Sequence, residues 1–328
     1  MKKTKYLRPF ILLILSLWSF GNLLSETSFA APGDFPKKTI TIIINSGPGG
    51  GRDTISRGVG NTMKKLLGVP IVIRNLPGAG GIRGLEYLWG SAPDGYTLGV
   101  GTPTDILIPL IQKTKYDPKK FIYIANAQYT PDLFLVKSDS PFHSLKDFKT
   151  FGKDIRVGTH ILASVGTVAY MILGDREGFP ISIVAGYPGI VAATLGLTRG
   201  ETETNDLIPN VAMPYVRAGQ VRPILVIGKE RHPNFPNIPT VGEIGHPDLA
   251  VFALYFWFMA PPEVPKDRIQ ILEDALMKTL KDPEFLKWAN RTGVDIVPLN
   301  SQQTTKLVFD AAEVSSKYRK VVEKYIEK

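Results

Sequence analysis

A run of glycines between an apolar segment and a helical pattern constrains this fold more than any other feature. Residues 40–57 read ITIIINSGPGGGRDTISR. The β-branched run Ile40–Ile44 predicts a buried strand. A helix is predicted after the glycines, with one apolar face made of Ile55, Val59, Met63, Leu66 and Leu67. We expect Asp53 to cap this helix, because its carboxylate can accept hydrogen bonds from first-turn N–H groups.

A glycine loop that leads into a helix is suited to an anion. Bare N–H groups at a helix N-terminus attract negative charge, and glycines leave them accessible. A second cluster, GAGG, begins at Gly78. No lysine follows the first cluster as in a P-loop, and Arg52 and Arg83 stand where a dinucleotide fingerprint has its third glycine. The two clusters therefore predict either a ligand cradle or two tight turns without a ligand.

The first 30 residues have the pattern of a secretory signal. A basic start is followed by an apolar core at Phe10–Phe20 and by small residues up to Ala30. We expect cleavage near Ala30 and a periplasmic location. The alternative is an uncleaved anchor, although the apolar run is shorter than the roughly 20 residues that span a bilayer. The chain has no cysteine, which excludes disulfides and lipid attachment at a cysteine.

The charge of the remaining chain suits an anionic ligand. Residues 1–30 carry four basic residues and one acid, so their removal lowers the formal charge from +9 to +6. The lysines and arginines are scattered and are not interleaved with aromatics, so we predict no nucleic-acid partner.

Strand and helix patterns alternate after the first helix, which predicts parallel α/β sheets. The predicted strands are Val69–Arg74, Tyr96–Val100, Phe121–Ala125, Leu133–Val136, Ile155–Val157, Ile181–Val184, Pro223–Ile227 and Val251–Met259. Helices are predicted at Ile82–Trp89, Ile106–Ile111, Val165–Leu173 with Ser164 as cap, Ile190–Leu197, Val211–Ala218, from Pro265 onward and along Leu299–Ile326. Ser144 and Asp147 form a predicted capping box. In such sheets, ligands bind beyond the carboxyl ends of the strands.

Signals for catalysis are missing. No Gly-x-Ser-x-Gly elbow is present, the four histidines are far apart in sequence, and there is no thiolate for a metal site. We predict no catalytic residue, no cofactor and no metal.

Six strings along the chain resemble the Bug family, the periplasmic substrate-binding receptors of tripartite tricarboxylate transporters. They are PGGGRD at 48–53, NLPGAGG at 75–81, PDGYTL at 93–98, GYPG at 186–189, IPTVGEIG at 238–245 and AP at 260–261. They occur in the order found in the family, and the resemblance covers essentially the whole chain after the signal.

The resemblance implies an α/β fold, a type II periplasmic binding protein with two α/β lobes and a ligand cleft between them. Lobe 1 would comprise residues 31–130 plus 255–328, and lobe 2 residues 131–254. In the family, a ligand carboxylate is held by the loops after the first and third strands. Together with the glycine clusters, the resemblance implies a ligand-binding set made of Ser46, Gly47, Gly49, Gly50, Gly51, Asp53, Gly78, Thr102, Thr104, Asp105, His160, Ser164, Thr167 and Tyr187.

Some positions depart from the family pattern. Asn45 and Ser46 stand where Pro and Phe are usual, and Arg52 replaces a common Thr or Ser. Arg52 either adds a charge-assisted hydrogen bond to a ligand carboxylate or faces solvent. We expect Glu203 and Asp206 to be surface acids. His160 either faces the cleft or is a loop histidine without a ligand role.

The resulting functional hypothesis is a solute receptor without enzymatic activity. It would capture a small carboxylate, which is a dicarboxylate or tricarboxylate, an aromatic acid or an acidic amino acid, for a tripartite tricarboxylate-type membrane transporter. We expect a monomer whose partners are the ligand and the transporter subunits. The alternatives are a ligand-sensing protein that signals to a membrane kinase and, less favoured, a secreted α/β enzyme.

Overall fold

The computed structural model describes residues 35–326, and the elements below belong to one compact unit that begins at Pro36. The predicted signal peptide and its cleavage near Ala30 lie outside the described residues. Between residues 35 and 326, no helix is both long and apolar enough to cross a membrane.

The strands form two sheets, one of six strands and one of five. In chain order the strands are β1 (Ile40–Ile44), β2 (Ile71–Asn75), β3 (Thr97–Gly101), β4 (Ile122–Thr130), β5 (Asp132–Lys137), β6 (Ile155–Gly158), β7 (Ile181–Val184), β8 (Thr204–Leu207), β9 (Val221–Ile227), β10 (Leu254–Ala260) and β11 (Ile296–Leu299). The order in the larger sheet is β11-β4-β10-β3-β1-β2, and in the smaller sheet it is β7-β6-β8-β5-β9.

Helices connect most of these strands. They are α1 (Gly51–Leu67), α2 (Ile82–Trp89), α3 (Thr104–Ile111), α4 (Leu145–Thr150), α5 (Val165–Glu177), α6 (Ile190–Thr198), α7 (Pro209–Arg217), α8 (Lys266–Thr279), α9 (Pro283–Thr292), α10 (Ser301–Lys317) and α11 (Arg319–Ile326). The α2 boundaries, the Ser164 cap of α5 and the Ser144–Asp147 capping box of α4 are confirmed.

The edges at which the parallel strands of the two sheets end adjoin each other. The ends of β1, β2, β3 and β4 share one edge, since β1 is parallel to β2 and β3, and β10 is antiparallel to both β3 and β4. In the other sheet, the ends of β6, β7, β8 and β9 share an edge with the start of β5. Only Pro131 separates β4 from β5, so the chain passes directly from one edge to the other.

The parallel direction predicted from the first four strands is confirmed for β1, β2, β3 and β4, although β10 lies between β3 and β4. β10 and β11 pair antiparallel in the larger sheet, and β5 pairs antiparallel with β8 and β9 in the smaller one. Of these strands, β5 and β10 directly follow the two points where the chain passes from one sheet to the other. Direction is set there by the crossover, and a local apolar pattern carries no information about it.

The single C-terminal helix predicted over Leu299–Ile326 is also wrong. α10 ends at Lys317, and α11 begins after Tyr318. The Tyr318 ring lies 4.7 Å from the Arg176 guanidinium, and its hydroxyl donates to Asp248 at 3.3 Å. These distant contacts hold Tyr318 at the break.

On α1, Ile55, Val59 and Met63 are buried as predicted, whereas Leu66 is 47% exposed.

Candidate functional site

The loop between β1 and α1 is open. The backbone at Gly49 has φ +84°, and no atom lies within 4 Å of the position that a Cβ would take at Gly47, Gly49 or Gly50. The N-cap of α1 is Gly50, and no side chain caps it. The first N–H groups of a helix have no acceptor within the helix, so this N-terminus is free to bind an anion.

Asp53 does not cap α1, and that prediction is wrong. It is the third residue of the helix, and its Oδ2 accepts from the Gly49 N–H at 3.0 Å and from Arg57 Nε at 2.9 Å. Its Oδ1 accepts from Arg57 Nη2 at 2.9 Å and from Asn75 Nδ2 at 3.1 Å. Asn75 Nδ2 also donates to the Ser46 carbonyl at 3.2 Å. Asp53 therefore stabilises the glycine loop through its hydrogen bonds to Gly49 and Asn75.

These hydrogen bonds favour the ionised form of Asp53. Hydrogen bonds from the Arg57 side chain, and then from Gly49 and Asn75, lower the pKa of Asp53 to about 2 despite its burial. The lowered pKa means that Asp53 contributes stability above its unfolded-state pKa near 3.8, and that this contribution is lost as the pH falls through about 2.

We expect Asp53→Ala to destabilise the protein by about 1 kcal/mol at pH 7, since Arg57 is exposed and its attraction to Asp53 is screened. Ligand affinity should fall as well, because the Gly49 N–H loses its acceptor and the loop loosens. Urea unfolding and calorimetric titration measure the two effects. The control is Asp282→Ala, which removes the side-chain cap of α9. That variant should lose similar stability and keep full affinity, and unchanged affinity in Asp53→Ala would remove Asp53 from the site.

Arg52 connects the loops after β1 and β3. Its Nη1 donates to Asn45 Oδ1 at 2.6 Å, and its Nη2 donates to Asp105 Oδ1 at 2.9 Å and to the Thr102 hydroxyl. The Arg52 side chain is only 14% exposed. The solvent-facing alternative for Arg52 is therefore wrong. The structure places a guanidinium at the strand edge where the sequence predicted a carboxylate site.

Asp105 organises the loop after β3. Its Oδ2 accepts from the Thr102 N–H at 2.8 Å, and its Oδ1 accepts from Asn45 Nδ2 at 3.0 Å in addition to Arg52. Thr102 and Asp105 are buried, whereas Thr104 is partly exposed at the start of α3. Within residues 35–326 no group hydrogen bonds the Thr104 hydroxyl. Of these three predicted residues, Thr104 retains the most capacity to bind a ligand.

The second glycine cluster packs against the end of β1. A Cβ at Gly81 would lie 2.8 Å from Asn45 Nδ2, and one at Gly84 would lie 2.7 Å from Asn45 Cα. Gly78 itself is exposed, with φ +135°. Gly81 and the nearby Gly84 accordingly allow a close approach to Asn45, whereas residues 78–80 are exposed.

The predicted residues of the smaller sheet differ in their availability. Ser164 and Thr167 are buried in a chain of hydrogen bonds in which Ser164 Oγ donates to Thr167 Oγ1 at 2.6 Å, and Thr167 Oγ1 donates to Thr159 Oγ1 at 2.8 Å. The Tyr187 hydroxyl donates to Glu201 at 2.9 Å. By contrast, His160 Nδ1 is buried and has no hydrogen-bond partner in the described part of the chain. Burial lowers the pKa of His160, so the neutral imidazole is favoured.

Two acids that the sequence analysis did not place in the interior are buried. Asp132 and Asp206 are 3% and 6% exposed, so the expectation that Asp206 is a surface acid is wrong. Burial raises the pKa of Asp206 to about 6 and that of Asp132 well above its usual range, and the two carboxyl groups hydrogen bond each other. Asp206 packs against α5, where a Cβ at Gly166 would lie 2.2 Å from its Cγ.

Glu203, which is partly buried, pairs with Arg156 at 2.6 Å.

In the part of the chain that the structure describes, no group of three or more His, Cys, Asp or Glu residues could hold a metal ion.

Comparison with known proteins identifies the family. The family model described as "Tripartite tricarboxylate transporter family receptor" matches residues 55–325. The UPF0065 protein in the gbd 5′ region of Cupriavidus necator is 29% identical, over 88% of each chain. A TctC solute-binding protein from Polaromonas superposes with a TM-score of 0.74 at 22% identity, covering 88% of this chain and 99% of that one. MatC from Rhodopseudomonas palustris, with bound malate, superposes with a TM-score of 0.70 at 26% identity, covering 88% of this chain and 100% of that one.

The two-lobed α/β fold of periplasmic binding proteins is therefore confirmed for this chain, and so is its resemblance to the Bug receptors. The family consists of solute-binding receptors rather than enzymes. This chain belongs to the receptor family of the tripartite tricarboxylate transporters.

Proposed function

We propose that this protein captures a small dicarboxylate in the cleft between its lobes and delivers it to a tripartite tricarboxylate-type membrane transporter. Lobe 1 would comprise residues 31–130 plus 255–328, and lobe 2 residues 131–254. The division is supported by the sheets, because the chain leaves the larger sheet after Thr130 and returns to it at Leu254. We further propose that the protein is exported, is cleaved near Ala30 and acts as a monomer.

The observation that carries the proposal is the position of Arg52 beside the open glycine loop. A carboxylate at this edge would accept hydrogen bonds from the uncapped first turn of α1 and would lie next to the guanidinium. The Arg52–Asp105 ion pair at 2.9 Å balances the charge of the buried acid. Asp53 in the first turn of α1 is likewise paired, with Arg57, so the free N–H groups of the helix N-terminus still favour an anion.

A dicarboxylate fits a two-sided cleft, since each lobe can hold one end of it. His160 would face the second carboxylate from lobe 2, because it follows β6 and its Nδ1 is one of the buried polar atoms there without a partner. A neutral histidine donates one hydrogen bond and adds no charge. The relative with bound malate supports a ligand of this class.

Isothermal titration with malate, succinate, citrate, glutamate and benzoate tests the proposal, and succinamide is the matched control. Succinamide has the shape of succinate without its charges. A thermal-shift assay gives a second readout, because a ligand at about 100 times its Kd stabilises the native state by roughly 2.7 kcal/mol. We expect a dicarboxylate to bind and succinamide to fail. Equal affinity for succinamide would contradict the proposed binding of an anion at the glycine loop. Delivery to the transporter is tested separately, by measuring carboxylate uptake in cells that lack the protein.

A further inference from the structure

A cavity of about 410 Å³ lies where the chain crosses between the two sheets. Its walls come from β4, β10 and β11 on one side and from the segment after β9 on the other. The lining residues are Tyr129, Pro131, Lys229, Glu230, Arg231, His232, Pro233, Tyr255, Asp295, Val297 and Leu299. None of them belongs to the predicted carboxylate site.

This crossover cavity and the glycine loop lie toward opposite ends of the strand order. In the larger sheet the cavity is lined from β11, β4 and β10, whereas the glycine loop and its neighbours follow β3, β1 and β2 at the other end of the strand order. In the smaller sheet the cavity adjoins β9 at one end, and His160 and Tyr187 follow β6 and β7 at the other. The two places are therefore separate sites.

The walls of the crossover cavity are aromatic and apolar. The rings of Tyr129 and Tyr255 lie 5.0 Å apart at 50°. Val297 and Leu299 of β11, together with Pro131, complete the apolar surface. Cavities of 300–1,000 Å³ with apolar walls and a few polar groups are the usual form of small-molecule sites.

Polar atoms with unused hydrogen-bonding capacity line the cavity. Tyr255 is only 4% exposed, yet among residues 35–326 no group hydrogen bonds its hydroxyl. His232 Nδ1 accepts from the Asn234 N–H at 3.2 Å, so the neutral ring carries its proton on Nε2. Burial lowers the pKa of His232, which favours that neutral form. The Tyr255 hydroxyl is therefore available to a ligand oxygen in the cavity.

The charges around the crossover cavity do not favour an anion. Arg231 forms an ion pair with Glu243 at 2.9 Å and donates a hydrogen bond to the Pro236 carbonyl at 2.9 Å. The other charged residues of the lining are Lys229 and two acids, Glu230 and Asp295. An uncharged ligand meets no electrostatic penalty here, whereas a carboxylate would approach a net negative rim.

We propose that the crossover cavity is a second ligand site, and that it binds an uncharged aromatic compound that carries a carbonyl or hydroxyl oxygen. The ring lies against Tyr129 and Tyr255, and the oxygen pairs with the Tyr255 hydroxyl and with His232 Nε2–H. The chemistry of this ligand differs from that of the carboxylate in the cleft, so the site is independent of the proposed function.

Benzamide is the probe, and its binding to the whole mature protein is measured by saturation-transfer NMR and calorimetric titration. Benzoate is the matched charged compound. We expect benzamide to bind and benzoate to bind at least tenfold more weakly. Tyr255→Phe keeps the ring and loses the hydroxyl, so it should weaken benzamide binding about fivefold. Val297→Trp fills the cavity from a residue that is 38% exposed and should abolish binding.

The matched control is Val72→Trp, which adds the same side chain to β2 at a residue that is 47% exposed and lies outside the cavity. Its benzamide affinity should equal that of the wild type, and circular dichroism checks that every variant is folded. Three results would overturn the proposal: no benzamide binding to the wild type, equal affinity in Val297→Trp, or competitive displacement of benzamide by a dicarboxylate that binds in the cleft.

Discussion

Replacement of Arg52 by alanine should lower the free energy of unfolding by about 3 kcal/mol, because it leaves the Asp105 carboxylate buried without its cation. Asp105 is 5% exposed and would keep only the Thr102 N–H and Asn45 Nδ2 as donors. The loops after β1 and β3 would also lose the side chain that joins them. Dicarboxylate affinity should therefore fall at least tenfold. Urea unfolding and calorimetric titration measure the two quantities.

A double variant separates the two effects. In Arg52→Ala with Asp105→Asn, no buried charge is left unpaired, so most of the lost stability should return. Affinity should not return, because the guanidinium is still missing. Arg74→Ala is the control for loss of positive charge, since Arg74 lies exposed on β2. A fall of less than 1 kcal/mol in Arg52→Ala would show that Arg52 does not hold Asp105, and recovery of affinity in the double variant would show that Arg52 does not act on the ligand.

The second large effect is a gain of stability in Asp206→Asn at neutral pH. Burial raises the pKa of Asp206 from 3.8 to about 6, so ionising it in the folded state costs about 3 kcal/mol at pH 8. Asparagine has nearly the same shape and carries no charge. Its amide oxygen can still accept from the protonated Asp132 carboxyl. We expect the variant to be more stable than the wild type by about 2–3 kcal/mol at pH 8.

The gain should disappear in acid. A raised pKa means that the folded state binds more protons than the unfolded state, so the contribution of Asp206 is fully present below pH 3.8 and is lost as the pH rises through about 6. Wild type and Asp206→Asn should therefore have similar stabilities near pH 4 and diverge between pH 4 and pH 8. Asp53 does not interfere, because its pKa of about 2 keeps it ionised over that range.

Urea unfolding at pH 4, 6 and 8 tests this expectation, with Asp139→Asn as the control. Asp139 pairs with Lys137 at the surface and is 72% exposed, so its replacement should change stability by less than 1 kcal/mol at each pH. A constant difference between Asp206→Asn and wild type across the three pH values would contradict the buried, proton-sharing pair.

Several elements of this protein could be predicted from the sequence because their signals are local. The β1 strand is encoded by consecutive β-branched residues, and α2 has the predicted boundaries. The Ser164 cap and the Ser144–Asp147 box each depend on groups three residues apart. The six family strings are local as well, and they led to the correct family and fold.

The tertiary structure decided everything that depends on distant partners. Arg52 is oriented by Thr102 and Asp105, which are 50 and 53 residues away. Asp206 is buried because β8 pairs with β5 and α5 packs over it at Gly166. The crossover cavity forms where β4, β10 and β11 meet the segment that follows β9. A side chain's charge and size are properties of the sequence, whereas its burial and its partner are set by packing between segments that the sequence keeps far apart.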